Sequence, residues 1–282
     1  MIPTSFDYHR ASSVDDALAR IGDGDAKLLA GGHSLVPLMK LRLSEPRLLV
    51  DIGRLAELKG IREHGGRIEI GAGTVHHDVA TAGRLQQACP VVAEAAASIG
   101  DPQVRNRGTL GGSLAHADPS ADMPAVMVAL DAEIHLRSAG GTRTVNAVEF
   151  FQDLFTVDMR PDEILTAVAF APVKASAYAK LYQRASHYAI VGVAAALEVK
   201  QGRIEMARIG LTGATTHAVR LTHVEQALAG QPSSPDAIAT AARGAGAHLD
   251  SINSDIHAGA DYRRAMIEVF VKRALLAAAA RA

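Results

Sequence analysis

Two pairs of adjacent glycines, far apart in the chain, limit what it can fold into. One is Ala30-Gly31-Gly32-His33-Ser34 and the other is Thr109-Leu110-Gly111-Gly112-Ser113, each followed within two residues by a serine. The first leaves the apolar run Leu28-Leu29-Ala30, which reads as a buried strand, and enters a helical stretch from Leu35 to about Arg42. At such a junction unpaired backbone N–H groups and the helix dipole favour an anion. Glycine lets a pyrophosphate approach the main chain without meeting a Cβ, and Ser34 adds a hydroxyl donor. A tight strand-to-helix turn with no ligand explains one such loop equally well. The second loop repeats the chemistry, so two distant segments could clamp a dinucleotide's phosphates from both sides. Arg105 and Arg107 could pair with phosphate or simply face solvent, and Asp122 stands where it can cap the helix Met123 to Leu130.

The remaining patterns describe an α/β chain. Ser13, three residues before Asp16, suits a helix start, and Gly22 suits its stop. Leu48-Leu49-Val50 reads as another buried strand. Gly65-Gly66 and Gly140-Gly141 separate strand pairs and predict hairpins. Pro90 opens an alanine-rich helix that Gly100 ends, and Asp101 to Asp122, crowded with Gly, Asn, Asp, Ser and Pro, reads as a long functional loop. Glu163 to Phe170 closes this part as a strand. A boundary is expected between Pro172 and Ala177, followed by strands at Tyr178 to Tyr182, Ala194 to Lys200 and Arg203 to Leu211. Three helices follow them, the last turning Tyr262, Met266, Val269, Phe270 and Leu276 to one face.

Composition and missing motifs narrow the function. A chain of 282 residues suggests about two domains. With 29 Lys+Arg against 30 Asp+Glu there is no basic excess for nucleic acid. No apolar run reaches the roughly 18 residues of a membrane span, and the start Met1 to Asp7 lacks the basic flank and apolar stretch of a signal peptide, so a cytoplasmic chain is expected. Cys89 is the single cysteine, which excludes an intrachain disulfide and a cysteine-built zinc or iron–sulfur site; it reads as a small buried side chain. His33 stands where a P-loop needs its lysine, and Gly71-Ala72-Gly73-Thr74-Val75-His76 places a histidine where a Rossmann fingerprint needs a small residue. Serine-hydrolase elbows at Ser34 and Ser113 fail at their last position; Val36 would crowd so strained a turn. His76 and His77 point apart on a helix and read as surface or capping residues; no metal site and no catalytic acid–base set is expected.

Ala30 to Lys40, Thr109 to Ser113 and Ala117-Asp118-Pro119-Ser120-Ala121-Asp122 together resemble the FAD-binding medium subunit of molybdenum hydroxylases, of the aerobic carbon monoxide dehydrogenase type. The xanthine dehydrogenase flavin domain is a more distant likeness. The resemblance covers essentially the whole chain. It implies an α+β fold: a p-cresol methylhydroxylase-type FAD-binding domain over 1–174, with α/β subdomains of about 1–55 and 56–174. A small C-terminal domain, 175–282, would carry a three-stranded antiparallel sheet and helices. By the same likeness FAD is held by Leu29, Ala30, Gly31, Gly32, His33, Ser34 and Leu35 and by Thr109, Gly111, Gly112 and Ser113. Ile99 approaches the flavin, Asp122 hydrogen-bonds the cofactor, Leu165 contributes main chain, and Lys180 stands near the flavin ring or the adenine side. Tyr188 matches a position where some members place an aromatic near the ring. The family's large subunit holds a molybdopterin cofactor and its small subunit two [2Fe–2S] clusters, in a dimer of heterotrimers. The medium subunit relays electrons to an external acceptor. A self-sufficient flavin reductase or oxidase on the same fold is the alternative, and a nucleotide-binding protein without redox activity a third.

Overall fold

The computed structural model of the chain describes residues 2–22 and 25–282, so Met1 of the N-terminal stretch read above lies outside the described residues. The first unit has β1 (Asp7–Arg10), α1 (Val14–Ile21), β2 (Ala26–Leu29), α2 (Leu35–Lys40) and β3 (Leu48–Asp51). Its strands are all parallel, in the order β1-β3-β2. Ser13 caps α1 as its spacing predicts, its Oγ accepting from the Asp16 N–H at 3.0 Å. Ala17, Leu18 and Ile21 of α1 pack with Val50, Ile52 and Leu58 into a small core of their own.

The second unit begins with β4 (Ile61–His64) and β5 (Arg67–Gly71), the hairpin expected at Gly65-Gly66. Helices α3 (His76–Thr81), α4 (Gly83–Ala88), α5 (Pro90–Ser98), α6 (Pro102–Arg105), α7 (Leu110–His116) and α8 (Asp122–Ala129) follow. The chain then returns as β6 (Glu133–Ser138), β7 (Gly141–Asn146), α9 (Ala147–Phe150), the short pair β8 (Phe151–Asp153) and β9 (Thr156–Val157), and β10 (Ile164–Phe170). The main sheet is antiparallel in the order β4-β5-β10-β6-β7. Asp101 to Asp122 is therefore no uninterrupted loop. The Asp101 carboxylate caps α6 and the Thr109 hydroxyl caps α7, short helices that the polar composition of the segment conceals.

The third unit carries β11 (Ser176–Tyr182), β12 (Ala189–Lys200), β13 (Arg203–Thr212) and β14 (Val219–Arg220), then α10 (Thr222–Leu228), α11 (Pro235–Ala242) and α12 (Ala260–Ala279). Its antiparallel sheet has four strands rather than three, because the two-residue β14 pairs with Gly210 and Leu211. So short a strand leaves no alternation to read. The buried face of α12 holds Arg263, Ile267, Phe270, Val271, Ala274, Leu275 and Ala278, while Tyr262 is exposed. Of the expected face Phe270 is buried, and Met266, Val269 and Leu276 pack half-buried against the same core. Arg263 confuses the pattern because all three nitrogens of its buried guanidinium are bonded, to the carbonyls of Ile190, Gly213 and Ala258 and to Asp255.

Every residue of α8 is buried, and β12 and β13 pack directly on it. A Cβ on Gly210 would fall 2.0 Å from the Ala125 carbonyl oxygen, so strand and helix backbones touch. No helix among the described residues is long and apolar enough to cross a membrane.

Candidate functional site

A cavity of about 690 Å³ opens where the three units meet. Its wall takes Ala30 to Leu35 from the first unit, Ile99, Thr109, Gly111, Gly112, Ser113, Asp122 and Leu165 from the second, and Ser186 to Tyr188 from the third. Thirteen of the fifteen expected site residues are thus brought to one surface. Leu29 and Lys180 stand behind it. The Leu29 side chain underlies Gly32, where a Cβ would meet its Cδ1 at 3.3 Å.

The two glycine segments do different things. In the first, the backbone N–H groups of Gly31, Gly32, His33, Ser34 and Leu35 find no hydrogen-bond acceptor among the described residues. Ser34 makes no side-chain cap, and Gly32 turns the chain with φ +78°. Five consecutive donors are left at the start of a helix, lining a cavity. Such a run suits an anion with several oxygens. In the second, most donors are already taken, and only the Thr109 N–H lacks an acceptor among the described residues. Leu110 N–H donates to the Thr74 carbonyl, Gly111 N–H to the Ala72 carbonyl, and Gly112 N–H to Thr109 Oγ. Its glycine at 111 answers to packing, since a Cβ there would stand 2.4 Å from that of Ala72. The two cradles expected from sequence therefore differ: the first is a nest of free donors, and the second is a tightly packed brace that brings Thr109, Gly111, Gly112 and Ser113 to the cavity wall.

The brace and the nest meet directly. A Cβ on Gly31 would fall 2.2 Å from the Arg107 carbonyl oxygen and 2.9 Å from Gly108 Cα. Gly71 to His76, read in the sequence as a failed dinucleotide fingerprint, is the third partner: it bonds the second loop through Ala72 and Thr74, and His76 N–H donates to the Gly108 carbonyl. His76 is buried rather than at the surface, and burial, then His33 nearby, lowers its pKa to about 4. The surplus of glycine in that run was the available signal.

Asp122, the first residue of α8, is 4% exposed. Its Oδ1 accepts from the Tyr178 hydroxyl at 2.6 Å and its Oδ2 from Lys180 Nζ at 2.8 Å. Lys180 also donates to the Ser98 carbonyl at 3.2 Å, so two of its three N–H groups are used and it stands behind Asp122 rather than among the lining residues. Burial raises the Asp122 carboxyl above its ordinary value, with Lys180 and Tyr178 opposing. Each carboxylate oxygen keeps a lone pair for a ligand. At another part of the wall Glu163 accepts from Arg143 at 2.7 Å and from the Arg160 backbone N–H at 2.7 Å. Arg143 chiefly holds its carboxyl below the ordinary value. That anion fixes the Met159 to Pro161 turn against the cavity.

FAD fits these features. Free backbone donors suit its diphosphate, and the cavity's volume falls within the range of small-molecule sites, roughly 300–1,000 Å³. No group of three or more metal-binding side chains occurs among the described residues. Residues 4–172 match the family model of the FAD binding domain in molybdopterin dehydrogenase, and residues 176–278 that of the CO dehydrogenase flavoprotein C-terminal domain. The carbon monoxide dehydrogenase medium chain of Hydrogenophaga pseudoflava is 41% identical, covering 100% of this chain and 99% of that one. The 6-hydroxypseudooxynicotine dehydrogenase complex subunit alpha of Paenarthrobacter nicotinovorans is 40% identical over 100% of this chain and 97% of its own. The structure of CO dehydrogenase from Oligotropha carboxidovorans superposes with a TM-score of 0.95 at 38% identity, covering 100% of each chain. The protein belongs to the FAD-binding medium-subunit family of molybdopterin-dependent dehydrogenases, components of oxidoreductase complexes.

Proposed function

We propose that this chain carries electrons within a molybdenum hydroxylase complex, from [2Fe–2S] clusters of a small partner subunit to an external acceptor. A large molybdopterin-binding subunit would oxidise the substrate, in a dimer of heterotrimers. Residues 1–174 form the FAD-binding domain in this reading and 175–282 the C-terminal domain. The observation that carries it is the run of unpaired N–H donors from Gly31 to Leu35 on the wall of the cavity. Relatives described as a medium chain and as a complex subunit support the division of labour.

Bound there, FAD supplies the redox chemistry that side chains lack. The chain's own residues bind and orient. The Gly31 to Leu35 donors would hold the diphosphate, with Ser113 of the brace on the wall of the same cavity. Asp122 presents an acceptor whose position Tyr178 and Lys180 fix. Ile99 and Leu165 give the cavity apolar wall and exclude water. No proton transfer by these residues is required.

The test is purification of the chain with the products of its neighbouring genes, followed by flavin and metal analysis and native mass spectrometry. One FAD per chain in an assembly containing molybdenum and iron is expected. A chain that stays colourless with added FAD overturns the reading. A lone flavoprotein that oxidises an organic substrate without partners would instead establish the self-sufficient enzyme.

A further inference from the structure

His76 is 4% exposed and lines the cavity, yet its side chain makes no hydrogen bond among the described residues. The other buried polar side chains on that wall, Thr109, Asp122 and Glu163, are all bonded. Its place is set by the brace. The His76 N–H is tied to the Gly108 carbonyl, and a Cβ on Gly108 would stand 3.0 Å from the ring's Cδ2 and 3.4 Å from its Nε2. Gly108 also meets Gly31, the first residue of the donor run, where a Cβ would stand 2.9 Å from the Gly108 Cα. The imidazole therefore stands one glycine away from the nest.

The two ring nitrogens differ. Nδ1 is enclosed and has no partner, whereas Nε2 is not enclosed. Burial keeps the ring neutral, so a single nitrogen carries hydrogen. An enclosed N–H without an acceptor is costlier than an enclosed lone pair. The hydrogen therefore belongs on Nε2, the nitrogen left accessible on a cavity-lining side chain. We propose that His76 Nε2–H is a further hydrogen-bond donor to the diphosphate of bound FAD, completing the Gly31 to Leu35 nest from the side of the second loop. The proposal rests on reading the cavity as an FAD site. It explains why a polar ring without any partner is held at the junction of the two glycine segments.

Titrations of the full chain with FAD, ADP and adenosine test it, using H76L and H76Q. H76L should weaken FAD and ADP by about 10- to 100-fold, the loss of one hydrogen bond to a charged group. Adenosine, which lacks phosphate, should be unaffected, and H76Q, which retains an N–H, should recover most of the affinity. A purely structural role would weaken adenosine as much as ADP and would not be rescued by glutamine. In the unaltered chain, the 15N resonance of His76 Nε2 should move when ADP is added. A folded H76L that binds FAD like the parent, or a stationary Nε2 resonance, overturns the proposal while leaving the FAD site standing. An unaltered chain that ignores FAD overturns both.

Discussion

At Gly31 the conformational freedom of glycine matters less than its lack of a side chain. Its φ is not in the left-handed region, but a Cβ would stand 2.2 Å from the Arg107 carbonyl oxygen. Gly31→Ala should therefore push the nest off the brace. We expect a loss of about 1–3 kcal/mol in urea unfolding, typical of overpacking, together with loss of bound FAD. Retained FAD at parental stability would contradict the packing argument. The residue's identity was legible in the sequence, but its reason was not, because Arg107 lies far along the chain. The same holds for Lys180. Sequence likeness put it at the site, but its bond to Asp122, made from a distant strand, was not legible. Lys180→Met should cost about 3–5 kcal/mol near pH 7, because it strips a buried carboxylate of its cation. Burial alone would then push the Asp122 carboxyl further up. A folded value above the ordinary 3.8 means the folded chain holds a proton that the unfolded chain has released. Stability consequently falls as pH rises through that window, and the deficit of K180M should shrink as pH is lowered toward 4. The double variant D122N/K180M should recover most of the loss, since the carboxamide oxygen introduced there can still accept from Tyr178. Chemical denaturation at several pH values checks both statements.

Elements were legible where their signals are local. Ser13, the Gly65-Gly66 and Gly140-Gly141 turns, and the Pro90 start are decided by residues within a few positions. What lay beyond reach were decisions made by tertiary contact. Asp101 to Asp122 folds into α6 and α7 because α7 leans on Ala72 and Thr74, partners invisible from its own composition. The face of α12 was only partly legible because Arg263 is buried against carbonyls of β12 and of the turn after β13. Contact between α8 and β13 likewise depends on one missing side chain, at Gly210. Gly210→Ala must move β13 away from the α8 backbone, since the Ala125 oxygen cannot retreat without breaking its helix. Thr212, whose hydroxyl lies 2.8 Å from the carbonyl oxygens of Pro119 and Ala121, would lose its register as well. We expect about 1–3 kcal/mol of destabilisation and faster amide exchange in both α8 and β13. Exchange that quickens in β13 alone would show that the two backbones are not in contact.

For the whole molecule, the decisive fact is that no single unit encloses the cavity. Ala30 to Leu35, Thr109 to Ser113 and Ser186 to Tyr188 come from three units with largely separate cores. A ligand that touches all three walls stabilises only the state in which all three are assembled. FAD at a hundredfold excess over its Kd adds about 2.7 kcal/mol to such a state. At about 2–4 °C per kcal/mol for a chain near this size, Tm should rise by about 5–10 °C. The shape of the transition carries more information than its midpoint. Units that unfolded independently would give separate steps, and FAD would move only those it touches. Here Asp122 is bonded to Lys180 and Tyr178, and the Asp131 carboxylate lies 2.6 Å from Arg208 and 2.7 Å from Arg220, so the second and third units are joined by buried and half-buried ion pairs. Calorimetry should accordingly show one transition that FAD shifts intact, while adenosine, lacking the diphosphate, shifts it little. Two transitions, with FAD raising only the earlier one, would mean that the third unit does not help to close the site and that the wall from Ser186 to Tyr188 contributes nothing to binding.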